Sequence, residues 1–237
     1  MINPGLALCA GLALCVSAWG SERTVAVDIG HTLADPGAYS ARGADEYGFN
    51  RRLGGLLANQ LVQRGLAVRE VNFAGDIGSL AERPRVAAGS DFFISVHHDS
   101  ISEAWLQPWE WEGQLLTHTE VKRGFGIFVS ANNPQPERSL RCASMIGAGL
   151  RSAGFVPTDW HGRKHRPADA GNGVWYYDNL VVLYRTTLPA VLFEAGVIKH
   201  REEELELLDS ERQWRMAGAL ATALEACVPV TGKPAPE

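Results

Sequence analysis

The sequence predicts an α/β fold: a single domain with a mostly parallel twisted sheet and helices on both faces. Three observations carry that expectation. Short apolar runs alternate with longer amphipathic stretches, the rhythm of right-handed strand–helix–strand crossovers. Hydrophobic residues make up 46% of the 237 positions and charged residues 21%, which suits a packed core and excludes wholesale disorder. No Pro/Gly/Ser-rich linker separates two cores.

The elements follow in order. Thr24 to Ile29 reads as the first strand. Glu46 to Arg64 reads as a helix, because Phe49, Leu53, Leu56, Leu57 and Leu61 recur near a 3.6-residue period, and Gly65 is a natural stop. Leu66 to Val71 is a second strand. Ser79-Leu-Ala-Glu82 has the form of a capping box opening a short helix, with Pro84 awkward inside it. Phe92 to Val96 and Gly126 to Ser130 are further strands, and Ser139 to Ala153 is a helix. Leu180 to Tyr184 and Ala190 to Glu194 read as the last strands, and Glu202 to Cys227 as helix in two pieces around Asp209-Ser210.

Residues 1–20 stand apart. They carry no charged side chain, and Leu6 to Val16 form an 11-residue apolar run, the length of a secretory h-region and too short to span a bilayer. Small residues Ala18 and Gly20 suit cleavage before Ser21. The expected organisation is a signal peptide at 1–20, a catalytic domain at 21–228 and a flexible tail at 229–237, with the protein exported to the periplasm or beyond the cell. Cys142 and Cys227 then remain in the mature chain, either paired in an oxidising compartment or free and buried. The net charge of −5 argues against a nucleic-acid partner, and no later run is long and apolar enough for a membrane span. A monomer is expected.

Ligands of open α/β sheets bind beyond the carboxyl ends of the strands. Three strand ends deliver His31, one or both of His97 and His98, and Glu194 to one rim, and Glu46 opens the helix that follows the first strand. Two imidazoles and two carboxylates are the requirement of a mononuclear zinc hydrolase: three ligands, an open position for water, and one carboxylate to move protons. Each residue alone has an ordinary reading as a loop histidine, a helix-dipole acid or an ion-pair partner; it is their convergence that points to a metal.

Val27-Asp-Ile-Gly-His31, Asp35-Pro-Gly-Ala38, Glu46 with Asn50, Asp91-Phe-Phe-Ile-Ser-Val-His97 and Leu188-Pro-Ala-Val-Leu-Phe-Glu194-Ala-Gly196 stand in an order that resembles the zinc-dependent N-acetylmuramoyl-L-alanine amidases of the amidase-3 family. The resemblance covers nearly all of residues 24–227. It implies one Zn²⁺ held by His31, Glu46 and His97, with Glu194 as general acid/base. The substrate it implies is peptidoglycan or a muropeptide, cut at the amide between N-acetylmuramic acid and L-alanine. Three positions depart from the family pattern: Ile29 replaces a proline, Thr32 a glycine, and His98 a small residue. Strand alternation turns His98 away from His97, where it is expected to line the groove. Asp28 and Asp99 are candidates to orient the histidines.

Asn50, Trp105, Trp109 and His165 join His98 as candidate substrate contacts. Trp105, Trp109 and Trp111 crowd a seven-residue stretch after the His97 block, suited either to a sugar–peptide ligand or to a satellite hydrophobic cluster. Division-associated members of the resembled family cover the zinc with a helical insertion. Here residues 131–138 are eight residues with two prolines, too short for such a helix, so residues 101–122 are the one place for a lid. Two other functions fit the same residues: a zinc carboxypeptidase or N-acyl-amino-acid deacylase, and a catalytically inactive wall-binding protein.

Overall fold

A computed structural model describes residues 23–228; the expected signal peptide at 1–20 and the expected tail at 229–237 lie outside the described residues. The sheet has seven strands. β1 (Thr24–Ile29), β2 (Ala67–Val71), β3 (Phe92–Asp99) and β9 (Ala190–Val197) are parallel neighbours in the order β2-β1-β3-β9. Beyond β9 lie β6 (Gly126–Val129), β8 (Val174–Tyr176) and β7 (Arg166–Asp169), with β6 antiparallel to β9 and β7 antiparallel to β8. β4 (Gln107–Trp111) and β5 (Gln114–His118) form a separate hairpin.

The two faces of the sheet are covered unequally. α1 (Glu46–Gln63), α3 (Pro136–Ser152) and α6 (Ser210–Cys227) pack Leu53, Leu57, Ile146, Leu150, Leu220 and Leu224 onto Val25, Val27, Ile94, Val96 and Phe193. The opposite face meets short pieces, among them α2 (Glu82–Val86) and α4 (Val181–Tyr184), over Ala26, Phe93, Phe128, Ala190 and Leu192. α5 (Arg201–Leu208) and α6 are separate helices, broken at Asp209, whose side chain accepts from Arg212 N and caps α6. A Cys142–Cys227 disulfide ties α3 to the end of α6 with the Cα atoms 5.3 Å apart.

Several expectations need correction. Leu180–Tyr184 is not a strand: Val181–Tyr184 is one helical turn burying Val182 and Leu183. Both edges of β9 are already occupied by β3 and β6, so this run, which precedes β9 in sequence, has no place beside it. The capping box does not form. α2 starts at Glu82 without a side-chain cap, which puts Pro84 in the first turn, where its missing N–H breaks no helical bond. β3 and β9 run past the expected ends at Val96 and Glu194 to Asp99 and Val197. The β4–β5 hairpin, β7 and β8 were not expected at all.

Candidate metal centre

The thinly covered face carries the chemistry, and strand alternation puts it there. On β3, Phe93, Ser95 and His97 share that face; on β9, Ala190, Leu192 and Glu194 do. His97 and Glu194 are register partners. Asp28 on β1 lies opposite Ser95, whose hydroxyl donates to Asp28 Oδ2 at 2.6 Å.

His31 stands just beyond β1 at φ +65°, a backbone conformation that side chains other than glycine rarely adopt. The structure over-determines it. Asn72 Nδ2 donates to the carbonyls of Ile29 and His31, both at 2.6 Å, and Arg83 donates to the same two carbonyls at 2.8 and 2.7 Å. Arg83 is itself 2% exposed and pairs with the fully buried Asp28 at 3.4 Å. Sequence reasoning missed Arg83 and Asn72. The one available signal was an arginine placed beside a proline at the start of a helix.

Glu46 reaches the site from the first turn of α1, whose N-cap Asp45 accepts from Gly48 N at 2.8 Å. His31 Nε2 and His97 Nδ1 both approach Glu46 Oε1, at 3.1 and 3.0 Å, and one donor atom from each of the three residues lies within 4.8 Å of the others. Glu46 Oε2 accepts from Ala38 N at 3.2 Å. Gly37 permits the approach: a Cβ there would fall 2.7 Å from both Glu46 Oε2 and the His31 ring. Two nitrogens and a carboxylate oxygen facing one point form a donor set suited to a divalent transition metal. Burial works against charge on Glu46, yet hydrogen bonds from His31 and His97 hold its carboxyl well below the usual range. Burial likewise opposes charge on His31, and the Glu46 carboxylate outweighs it and raises the imidazole.

Glu194 is partly exposed, but its Oε2 is buried and has no hydrogen-bond partner among the described residues. Burial, then the carboxylates of Asp99 and Glu46, push it well above the ordinary carboxylate range. Asp99 is raised for the same first reason, burial, although the Trp160 indole donates to its Oδ2 at 3.0 Å. His161 Nε2 lies 3.3 Å from that same oxygen. Asp99 thus meets Trp160 and His161, and Asp28 meets Arg83 and Ser95. Neither carboxylate makes a hydrogen bond to His31 or His97, which corrects the expectation that they orient those rings.

A cavity of about 390 Å³ opens at His31 and His97, lined also by Thr32, Asp35 and Arg83 and by the apolar Leu180, Val181 and Leu192. A larger cavity of about 590 Å³, between Arg123, Phe155 and Arg212, shares no lining residue with it. The five candidate substrate contacts lie outside the smaller cavity. His98 and Asn50 are 2% and 0% exposed and face each other under α1, so they line no groove. Alternation turned His98 toward the helix layer, against Phe49. Trp109 donates to Ala41 O at 2.9 Å and stacks beside Trp111, with Arg42 and Arg201 over it. Trp105 lies under Arg163 and Lys122, and His165 packs against Tyr177 and Phe128.

Residues 25–226 match the family Amidase_3, described as N-acetylmuramoyl-L-alanine amidase. Solved structures share the fold. The N-acetylmuramoyl-L-alanine amidase of Clostridium difficile 630 is 18% identical, with a TM-score of 0.70 over 89% of this chain and 99% of that one. The N-acetylmuramyl-L-alanine amidase of Mycobacterium smegmatis is 17% identical, with a TM-score of 0.70 over 87% and 96%. The catalytic domain of an amidase from Bacillus (Paenibacillus) polymyxa is 22% identical, with a TM-score of 0.67 over 88% and 99%. No curated protein matches.

Proposed function

Because the chain belongs to the Amidase_3 family of N-acetylmuramoyl-L-alanine amidases, and so hydrolyses the amide joining N-acetylmuramic acid to L-alanine in peptidoglycan, we propose that it does so with one zinc ion held by His31, Glu46 and His97. Glu194 is then the group that moves the proton. The observation that carries this reading is the meeting of His31, Glu46 and His97, from three different elements, within 4.8 Å. Bound there, zinc would act as a Lewis acid on the substrate carbonyl and lower the pKa of water from about 16 to roughly 7.

The protein's own groups do the rest. Glu194 Oε2 has no hydrogen-bond partner among the described residues, which leaves it free to take the proton of the attacking water. Burial and the neighbouring carboxylates raise this group, which suits it to keep that proton until the alanine nitrogen leaves and takes it. Leu180, Val181 and Leu192 give the cavity at His31 and His97 an apolar portion of its lining. Asn72 and Arg83 fix the backbone that carries His31.

The reading includes export. The apolar segment ahead of Ser21 supports it, and so does the Cys142–Cys227 disulfide, a bond favoured in oxidising compartments. No helix among the described residues is long and apolar enough to cross a membrane. The test is incubation of the zinc-loaded protein with purified peptidoglycan followed by mass spectrometry. Free stem peptides and unsubstituted muramic acid are expected. Intact sugar–peptide links with shortened stems would replace the amidase with a carboxypeptidase.

A further inference from the structure

Behind Glu46 lies a polar chain that the proposed chemistry leaves unused. Asn50 is one helical turn after Glu46 and has no exposed surface. Its Nδ2 donates to Gly30 O at 3.2 Å and to Glu46 Oε1 at 3.3 Å. Its Oδ1 faces His98 Nδ1 at 2.8 Å. The carbonyl of Gly30 only accepts, so the amide nitrogen must point toward it and the amide oxygen toward His98. That oxygen also only accepts, so the proton of the His98 ring is on Nδ1. The backbone N of His98 approaches Glu46 Oε1 at 3.4 Å as well.

Resting on the reading of Glu46 as a zinc ligand, we infer that His98 is a positioning residue for the metal centre. Its ring N–H locks the amide of Asn50, and that amide fixes the carboxylate of Glu46. The physical reason is polarity. If the Asn50 amide turned over, its oxygen would face both Gly30 O and Glu46 Oε1, three acceptors with no proton among them. With His98 in place, both polar atoms of the Asn50 amide and both oxygens of Glu46 have partners, and the carboxylate cannot rotate without breaking one. Outer partners that orient metal ligands in this way affect metal affinity by about 10–100-fold. The inference also accounts for an imidazole, buried against Phe49, at a position where the resembled family carries a small residue.

The experiment is a zinc titration of the metal-free protein against a competing chelator, with folding of each variant followed by thermal melting. His98→Leu and Asn50→Ala are each expected to weaken zinc binding about 10–100-fold. The double variant should lose no more than the worse single one, because both break one chain of contacts. His98→Asn, which returns an N–H donor near the place of Nδ1, should recover most of the affinity. If His98→Leu does not fold, His98→Phe keeps the ring volume and removes both nitrogens. Wild-type affinity in a folded His98→Leu or His98→Phe variant would overturn the inference and leave the zinc reading intact. So would His98→Asn binding as weakly as His98→Leu. A wild-type protein that binds no zinc would overturn both.

Discussion

Gly126 lies directly opposite Glu194 across the β6–β9 pair, and a Cβ on Gly126 would fall 2.6 Å from Nε2 of His161. The imidazole therefore occupies the space that any other residue at 126 would fill. It is wedged there, 2% exposed, with Phe128 and Trp160 at centroid distances of 4.6 and 4.5 Å. Gly126→Ala should push this ring aside and destabilise the protein by about 1–3 kcal/mol. Zinc binding should be unaffected and turnover reduced, because the ring is displaced beside Glu194 and not beside His31. Gly149→Ala is the control: in the last turn of α3 its Cβ would meet nothing closer than 3.7 Å, and a gain of up to about 0.5–1 kcal/mol is expected. Denaturant melts and turnover of both variants check the contrast. Equal behaviour would show that the His161 ring moves without consequence.

The two glutamates should separate cleanly. His31→Ala, Glu46→Ala and His97→Ala are each expected to lose both zinc and activity. Glu194→Ala should keep zinc and lose about 10²–10⁴-fold in turnover, the range for a general acid–base group. Metal analysis alongside kinetics decides. Zinc loss in Glu194→Ala with retention in Glu46→Ala would exchange their roles.

The parts legible in the sequence were those that depend on local pattern. Val25, Val27, Ile94 and Val191 mark strands whichever partners they find, and the strand ends carry His31, His97 and Glu194 with them. The hairpin was not legible because its turn is Glu112-Gly113, both at positive φ, where Asn-Gly or Asp-Gly would have signalled the same geometry. Arg83, Asn72 and His161 act through contacts with residues that are distant in sequence, so no spacing rule finds them. The direction of His98 was legible from alternation. Its surroundings were not, because they depend on how close α1 packs to β3.

Arg83 should be one of the least replaceable residues outside the metal cluster. Its guanidinium neutralises Asp28 and satisfies the carbonyls of Ile29 and His31 in a nearly solvent-free setting. Arg83→Met leaves Asp28 buried without its cation, which is expected to cost about 3–5 kcal/mol. The double variant Asp28→Asn with Arg83→Met should be less destabilised than Arg83→Met alone, since no uncompensated charge remains. Urea unfolding of Asp28→Asn, Arg83→Met and the double variant tests this. Additive losses would mean that the pair contributes through packing and not through charge.

Acid should destabilise the fold partly through His161. Burial, followed by the nearby His165 and Lys164, lowers this imidazole to about 3 from an ordinary 6.5. Below pH 6.5 the unfolded chain takes up a proton that the folded one refuses, so stability falls as pH falls. The slope is about 1.4 kcal/mol per pH unit until the folded group titrates near pH 3. Asp99 and Glu194 are raised and act with the opposite sign, so the useful quantity is the difference between wild type and His161→Phe. That difference should be flat above pH 6.5 and should shift in favour of the variant below it. Parallel stability curves would show that His161 titrates alike in the folded and unfolded chains, which would refute the lowered value.

The zinc-loaded protein should be active with no second protein to open it. The connection at 131–138 contains no covering helix: it turns after β6 and enters α3 at Pro136, where a proline suits the first helical position. The segment at 101–122 is ordered into the β4–β5 hairpin, which is anchored away from the metal ligands. Trp109 donates to Ala41 O, Lys199 Nζ to Thr117 Oγ1 at 3.1 Å, and Thr119 N to Lys199 O at 2.8 Å. None of its residues lines the cavity at His31 and His97, and among the described residues none of Glu103, Glu110, Glu112 or His118 joins the metal cluster. Replacing residues 103–120 by a short Gly/Ser loop should therefore give no gain in turnover on peptidoglycan fragments. A modest loss of stability should follow as the Trp109 contacts disappear. Negligible activity in the intact protein with a large gain in the loop variant would make the tryptophan hairpin an autoinhibitor, and would require it to leave Ala41 and fold over His97 in solution.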